Sequence, residues 1–153
     1  TASNSKSNLR THSKRPRIIA AHHGEPPMTE NPGLLAARTF LDAFNAQDHK
    51  ALAASLNYPH VRLANNQFRT VDSAADFAAA SRNSETHLRA EGWAYSVLES
   101  AEVVHEGEDK IHMALVMARH DKDGTVYNRF DTFWVATLED GHWGIRFRSS
   151  FLR

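Results

Sequence analysis

The chain contains no cysteine. That excludes disulfide staples, thiol nucleophiles and Cys-ligated zinc or iron–sulfur centres. It also fits a reducing compartment, so a cytoplasmic location is expected. Charge of one sign is not in surplus: 18 Lys and Arg face 18 Asp and Glu. The balance gives no pull toward nucleic acid or an anionic membrane, and neither is expected as a partner. Long apolar runs are missing too. The longest, residues 113–118, has strand length, far below the roughly 18–20 residues of a membrane span. Glycine is sparse, and no Gly-x-Gly-x-x-Gly, P-loop or Gly-x-Ser-x-Gly element occurs, so nucleotide binding and a serine-hydrolase elbow are not indicated. The ten histidines include His105, His112 and His120 in strand-like segments, but none has a metal-site spacing and no His-Glu-x-x-His motif exists. No metal and no cofactor are expected.

What is present suits one globular domain: 153 residues, 41% hydrophobic and 24% charged. Residues 1–28 stand apart. Lys6, Arg10, Lys14, Arg15 and Arg17 lie among Ser, Asn and Thr with one acid, Glu25, and apolar residues show no period. This reads as a disordered basic arm, dispensable for folding. An over-extended reading frame upstream of Met28 and an organelle transit peptide are alternatives; the apolar stretch Ile18-Ile19-Ala20-Ala21 is too short for a secretory signal. The domain is expected over residues 29–153.

Within it, Asn31-Pro32 opens a helix, with Leu34, Leu35, Leu41 and Phe44 at helical spacing and a stop near Asn45-Ala46-Gln47. Asp48 caps a short second helix carrying Leu52 and Leu56, ended by Tyr58-Pro59. Residues 60–64 and 67–71 read as strands joined by Asn65-Asn66, and Asp72 or Ser73 opens a third helix that Gly92 breaks. Four long strands follow, over residues 93–106, 110–121, 125–139 and 142–151, with acidic and glycine-bearing hairpin turns between them. The order predicts an α+β fold: a cone-shaped barrel of curved, mainly antiparallel sheet packed on three helices.

Two stretches carry a family resemblance. Residues 39–48, Thr-Phe-Leu-Asp-Ala-Phe-Asn-Ala-Gln-Asp, resemble the first-helix ending of the nuclear-transport-factor-2-like superfamily, and Asp140-Gly141-His142-Trp143-Gly144-Ile145 resembles its last hairpin. The superfamily includes ketosteroid isomerases and SnoaL-type polyketide cyclases, and it hosts enzymes and non-enzymes alike. The resemblance implies a pocket between sheet and helices, and a homodimer whose exposed sheet face is covered; Trp134, Phe130 or Ile145 could supply its apolar surface. Against ketosteroid isomerases, Asp131-Thr132-Phe133 matches the Asp-x-Phe setting of a protonated, hydrogen-bond-donating aspartate. Phe40, however, stands where those enzymes carry an oxyanion-hole tyrosine, and Ala64 or Asn65 where they carry the catalytic base.

Candidate site residues follow from strand alternation. His60, at a helix-to-strand junction, is a candidate general base and shares a face with Arg62. Tyr127, Arg129, Asp131 and Phe133 share a face, which makes Asp131 a candidate acid or hydrogen-bond donor and the others substrate contacts. Arg146 and Arg148 share a face of the last strand and would form a cationic wall if that face points inward. The plain alternatives are structural ion pairs, a junction histidine bonded to backbone, and solvent-facing arginines. The expectation is that His60 and Asp131 face one cavity with an arginine nearby, in a cofactor-independent lyase, isomerase or hydrolase acting on a small apolar or carboxylate-bearing molecule. The alternative is a non-catalytic ligand-binding or dimerisation module.

Overall fold

In the computed structural model, residues 30–152 are described; the expectations for the basic arm, residues 1–28, lie outside that range. Helix α1, Pro32–Ala46, starts where Asn31 Oδ1 accepts from the backbone N–H of Gly33 and Leu34, with Pro32 at the first position where no N–H is needed. It ends at Gln47, which takes the left-handed conformation with φ 48°. Helix α2, His49–Ala54, is capped by Asp48. It is shorter than expected. Ser55 already closes it, and Leu56 opens strand β1, Leu56–Ala64. The Ile145 N–H donates to the Ser55 carbonyl and Leu56 lies opposite Ile145, so tertiary pairing ends the helix before Tyr58-Pro59 can.

Asn65 and Asn66, both with positive φ, turn the chain into β2, Gln67–Val71. Helix α3, Ala74–Ala90, is capped by the Ser73 hydroxyl. Strands β3, Tyr95–Glu106, β4, Lys110–His120, β5, Val126–Glu139, and β6, His142–Ser150, form the meander. The six strands lie in the order β2-β1-β6-β5-β4-β3, antiparallel throughout except for the parallel β1–β6 pair. The sheet is open, with β2 and β3 as its edges, rather than a closed barrel.

Helix α1 lies across β3 to β6, and α2 bridges α1 to α3. The core gathers on the helix-facing side: Ala37, Phe40 and Leu52 from the helices, Leu56, Ile111, Met113, Leu115, Trp134, Ala136 and Ile145 from the sheet. Trp134 and Ile145 are thereby buried, at 3% and 0% exposure, which corrects the expectation that they supply an outer dimer surface; Phe130 packs against the same core.

Two irregularities steer the site. On β5 the register with β4 shifts so that His120 pairs Val126 and Arg119 pairs Asn128, leaving Tyr127 outside the register. On β6 the register with β5 shifts so that Ala136 pairs Ile145 and Val135 pairs Phe147, leaving Arg146 out. Each is a bulge that changes which residues face inward.

Candidate anion pocket between the helices and the sheet

The inner face of the sheet and helices α1 and α3 enclose a cavity with two adjoining chambers. The apolar chamber, about 400 Å³ counting its solvent-open part and with a cavity volume of about 40 Å³, has Phe40, Phe44, Met117, Phe130 and Trp134 on its walls. The second, about 710 Å³ counting its solvent-open part, brings His60, Arg62, Arg69 and Arg148 together beneath Phe77 of α3. Phe40, Phe44, Arg62 and Arg148 belong to both chambers, so they adjoin along these residues. A wider mouth holds Arg119, Tyr127 and Glu91.

His60 is 1% exposed. Its Nδ1 lies 3.0 Å from the Ile145 carbonyl oxygen, and its Nε2 lies 3.1 Å from Arg148 Nε. Only the neutral tautomer with the proton on Nδ1 satisfies both contacts. Burial, reinforced by the Arg148 charge, pushes the imidazole down to about 3. His60 therefore stays neutral with both nitrogens engaged, and it orients Arg148 rather than offering a free base.

Arg148 is 9% exposed, and no carboxylate pairs with it among the described residues. Its guanidinium carbon lies 4.7 Å from the Phe40 ring centroid and 5.8 Å from that of Trp134, so aromatic faces supply part of what a counter-ion would. Arg62 has a buried Nε with no hydrogen-bond partner among the described residues. Burial and the neighbouring arginines push both guanidinium groups down from their ordinary range, Arg148 well below it. Arginine holds its proton in proteins, so the direction signifies uncompensated positive charge. The carboxylate at the cavity mouth, Glu91, is engaged: its Oε2 accepts from Arg119 Nη1 at 3.1 Å and from the Tyr127 hydroxyl at 2.8 Å.

The structure thus brings His60, Arg62 and Arg148 together, with Tyr127 at the rim. It does not bring Asp131 to them. Asp131 is exposed on the outer face of β5, opposite Val116 on β4, which corrects the expectation of a shared cavity with His60. Thr132 and Trp134 take the inner face: Trp134 is core, and its Nε1–H donates to the Thr132 hydroxyl. Arg129 is also outside, in a two-point pair with Glu99 at 2.7 Å, and Phe133 lies on the outer side 5.6 Å from the His112 ring. The bulge at Tyr127 is why that residue parts company from Arg129, Asp131 and Phe133. Arg146 and Arg148 likewise do not share a face. Arg146 sits at the β6 bulge, donates to the Pro59 carbonyl and lies 3.5 Å from Glu139.

Arg69, Arg119 and Glu91 join the site without having been candidates on sequence grounds. The first two carried a signal. A two-residue turn at Asn65-Asn66 sets Arg62 opposite Arg69, and Arg119 continues the inward series Met113, Leu115, Met117. Glu91 closes α3 and had none.

Among solved structures, a cystatin-like-fold protein of unknown function from Nostoc punctiforme PCC 73102 aligns with a TM-score of 0.63 at 10% identity, covering 78% of this chain and 87% of that one. A ketosteroid isomerase-like protein from Erwinia carotovora atroseptica SCRI1043 aligns at 0.59 and 17% identity, covering 78% and 92%. A putative calcium/calmodulin dependent protein kinase II association domain from Xanthomonas campestris aligns at 0.58 and 18%, covering 90% and 98%. At these identities the likeness is one of fold. No curated protein matches the chain. The family model described as NTF2-like protein (DUF6841) matches residues 35–148, and the chain belongs to that family.

Proposed function

We propose that this protein is a small-molecule-binding member of its family, whose pocket holds an anionic ligand by arginine contacts rather than converting one by acid–base chemistry. The observation that carries the reading is His60. Acid–base turnover needs a group that gives and takes a proton near neutrality within reach of substrate. His60 is the cavity's candidate, and its two nitrogens are committed to Ile145 and Arg148. The second expected partner, Asp131, lies across the sheet. What remains inside is an apolar wall and a group of cations, the composition of a recognition site.

Two measurements test this. Differential scanning fluorimetry with a panel of small aromatic alcohols, carboxylates and phosphates should find molecules that raise the melting temperature; a panel without any such molecule removes the pocket reading. NMR titration of the His60 ring should show no transition between pH 5 and 9, a window placed around the ordinary histidine value of about 6.5. A transition near 6.5 would return His60 to the role of general base.

A further inference from the structure

Three arginines stand side by side on adjacent strands. On β2–β1, Arg69 lies opposite Arg62, and on β1–β6, Arg62 lies opposite Arg148. Directly paired residues project to the same face, and all three line the same chamber. Neighbouring strands are about 4.8 Å apart, so the row sets three guanidinium-bearing side chains across roughly two strand spacings. Like charges opposite one another destabilise a sheet. No acid among the described residues pairs with any of the three, and Glu91 is spent on Arg119 and Tyr127. The middle arginine has a buried donor without a partner. The innermost is held in place by His60 and by the Phe40 and Trp134 rings. A preorganised set of cationic donors with no paired carboxylate among the described residues is the form an anion site takes.

The row also bears on the kind of anion. A carboxylate has two oxygens in one plane and satisfies one guanidinium fork. A phosphoryl group offers three oxygens diverging from one atom and carries close to a double negative charge at neutral pH. It can accept from two or three arginines approaching from adjacent strands. Beyond Arg62 and Arg148 the site continues into the apolar chamber of Phe40, Phe44 and Trp134.

We propose that the cavity takes a phosphate monoester of a small aromatic alcohol, its phosphoryl group on Arg62 and Arg148 with Arg69 at the open side, and its ring in the apolar chamber against Phe44, Met117 and Phe130. This rests on the pocket reading above and adds the charge and shape of the head group.

The test is calorimetric titration of the full chain at pH 7.5, in buffer free of phosphate and sulfate. The probes are phenyl phosphate, benzoate, benzyl alcohol and inorganic phosphate. Phenyl phosphate should bind best, by about tenfold or more over benzoate, and its affinity should fall as salt rises and as pH drops below about 6, where the dianion is lost. Arg62→Met should cost phenyl phosphate about tenfold and leave benzyl alcohol unchanged, with Arg62→Lys recovering part of the loss. If an Arg62 variant fails to fold, Arg69→Gln, at an exposed position, gives the same comparison with a smaller loss. Equal affinity for phenyl phosphate and benzoate, with benzyl alcohol weaker, overturns the phosphoryl assignment while leaving the pocket reading intact. Benzoate binding more tightly than phenyl phosphate does the same. Benzyl alcohol binding as tightly as either anion overturns both the phosphoryl assignment and the pocket reading. Inorganic phosphate matching phenyl phosphate overturns the aromatic part. Absence of binding by every probe overturns the proposal and the pocket reading together.

Discussion

Replacing Arg62 by methionine should make the unliganded protein more stable. The side chain places a buried Nε where nothing among the described residues accepts from it, and an unsatisfied buried donor costs roughly 1–3 kcal/mol. It also stands between two arginines, and each like-charge pair across a sheet costs roughly 0.2–1 kcal/mol. Arg69 is exposed and solvent screens its share, so most of the repulsion comes from the less exposed Arg119 and Arg148. Methionine keeps the unbranched stem and its packing while removing the charge and the orphan donor. The guanidinium's own van der Waals packing offsets part of this, so the expected gain is about 1–2 kcal/mol, or roughly 3–6 °C in melting temperature for a domain of this size. Urea unfolding in buffer free of phosphate and sulfate measures it, with an unchanged m-value as the sign that only stability moved. Saturating phenyl phosphate should narrow or reverse the gap, since a ligand at a hundred times its Kd adds about 2.7 kcal/mol to whichever protein binds it. A variant less stable than the parent by about 1 kcal/mol or more would show that Arg62 is satisfied in the folded state, and the case for an anion site built on it would fall.

Three further outcomes are expected. His60 titrates at about 3 when folded and near 6.5 unfolded, so the unfolded state takes up the extra proton between these values. The stability this histidine contributes is complete above pH 6.5 and falls as pH drops toward 3; from pH 8 to 5 the loss is about 2 kcal/mol, and urea unfolding of His60→Gln should lack that share of the slope. Gly144→Ala should cost about 1–3 kcal/mol or more, because a Cβ there would lie 2.7 Å from the Leu56 carbonyl carbon and 2.9 Å from the Asn57 backbone nitrogen; thermal melts measure it, and a change under about 0.5 kcal/mol would show that β1 and β6 separate easily. The outer sheet face around Val116, Phe133 and exposed Phe151 is expected to seat a second copy of the chain; light scattering at micromolar concentration should give a dimer mass, and a monomer mass would dismiss the idea.

How far the sequence could be read depended on whether a feature was local. Helix starts were legible because Asn31, Asp48 and Ser73 each satisfy a backbone N–H within three residues of themselves. The hairpins were legible for the same reason. The end of α2 was not, because the β1–β6 pairing that stops it joins residues far apart in the chain. The two bulges were hidden as well. Alternation is a sound guide only while a strand keeps register, and one unpaired residue at Tyr127 and another at Arg146 each reversed the facing of what lay on one side. His60 was found as a site residue, but its role depended on partners at Ile145 and Arg148, both supplied by a strand more than eighty residues later.

The placement of Asp131 shows why a motif that identifies a fold need not carry its chemistry. Asp131-Thr132-Phe133 matches an Asp-x-Phe pattern, yet a strand has two faces and a pattern of this length fits either. What decides here is Trp134. It is the largest side chain on β5, it is 3% exposed, and it packs edge-on to Phe40 with ring centroids 4.9 Å apart. Turning Asp131 inward would turn Trp134 outward, at a cost set by burying an aromatic surface of roughly 150–250 Å² at about 25 cal/mol per Å², or several kcal/mol. No hydrogen bond made by a carboxyl could offset that. With the tryptophan inside, Arg148 directly opposite it on β6 must also face inward, and so must Arg62 opposite Arg148. The same residue that expels the aspartate from the cavity therefore fixes the arginines in it. The site's character, cationic and without a free acid among the described residues, follows from how one aromatic side chain packs.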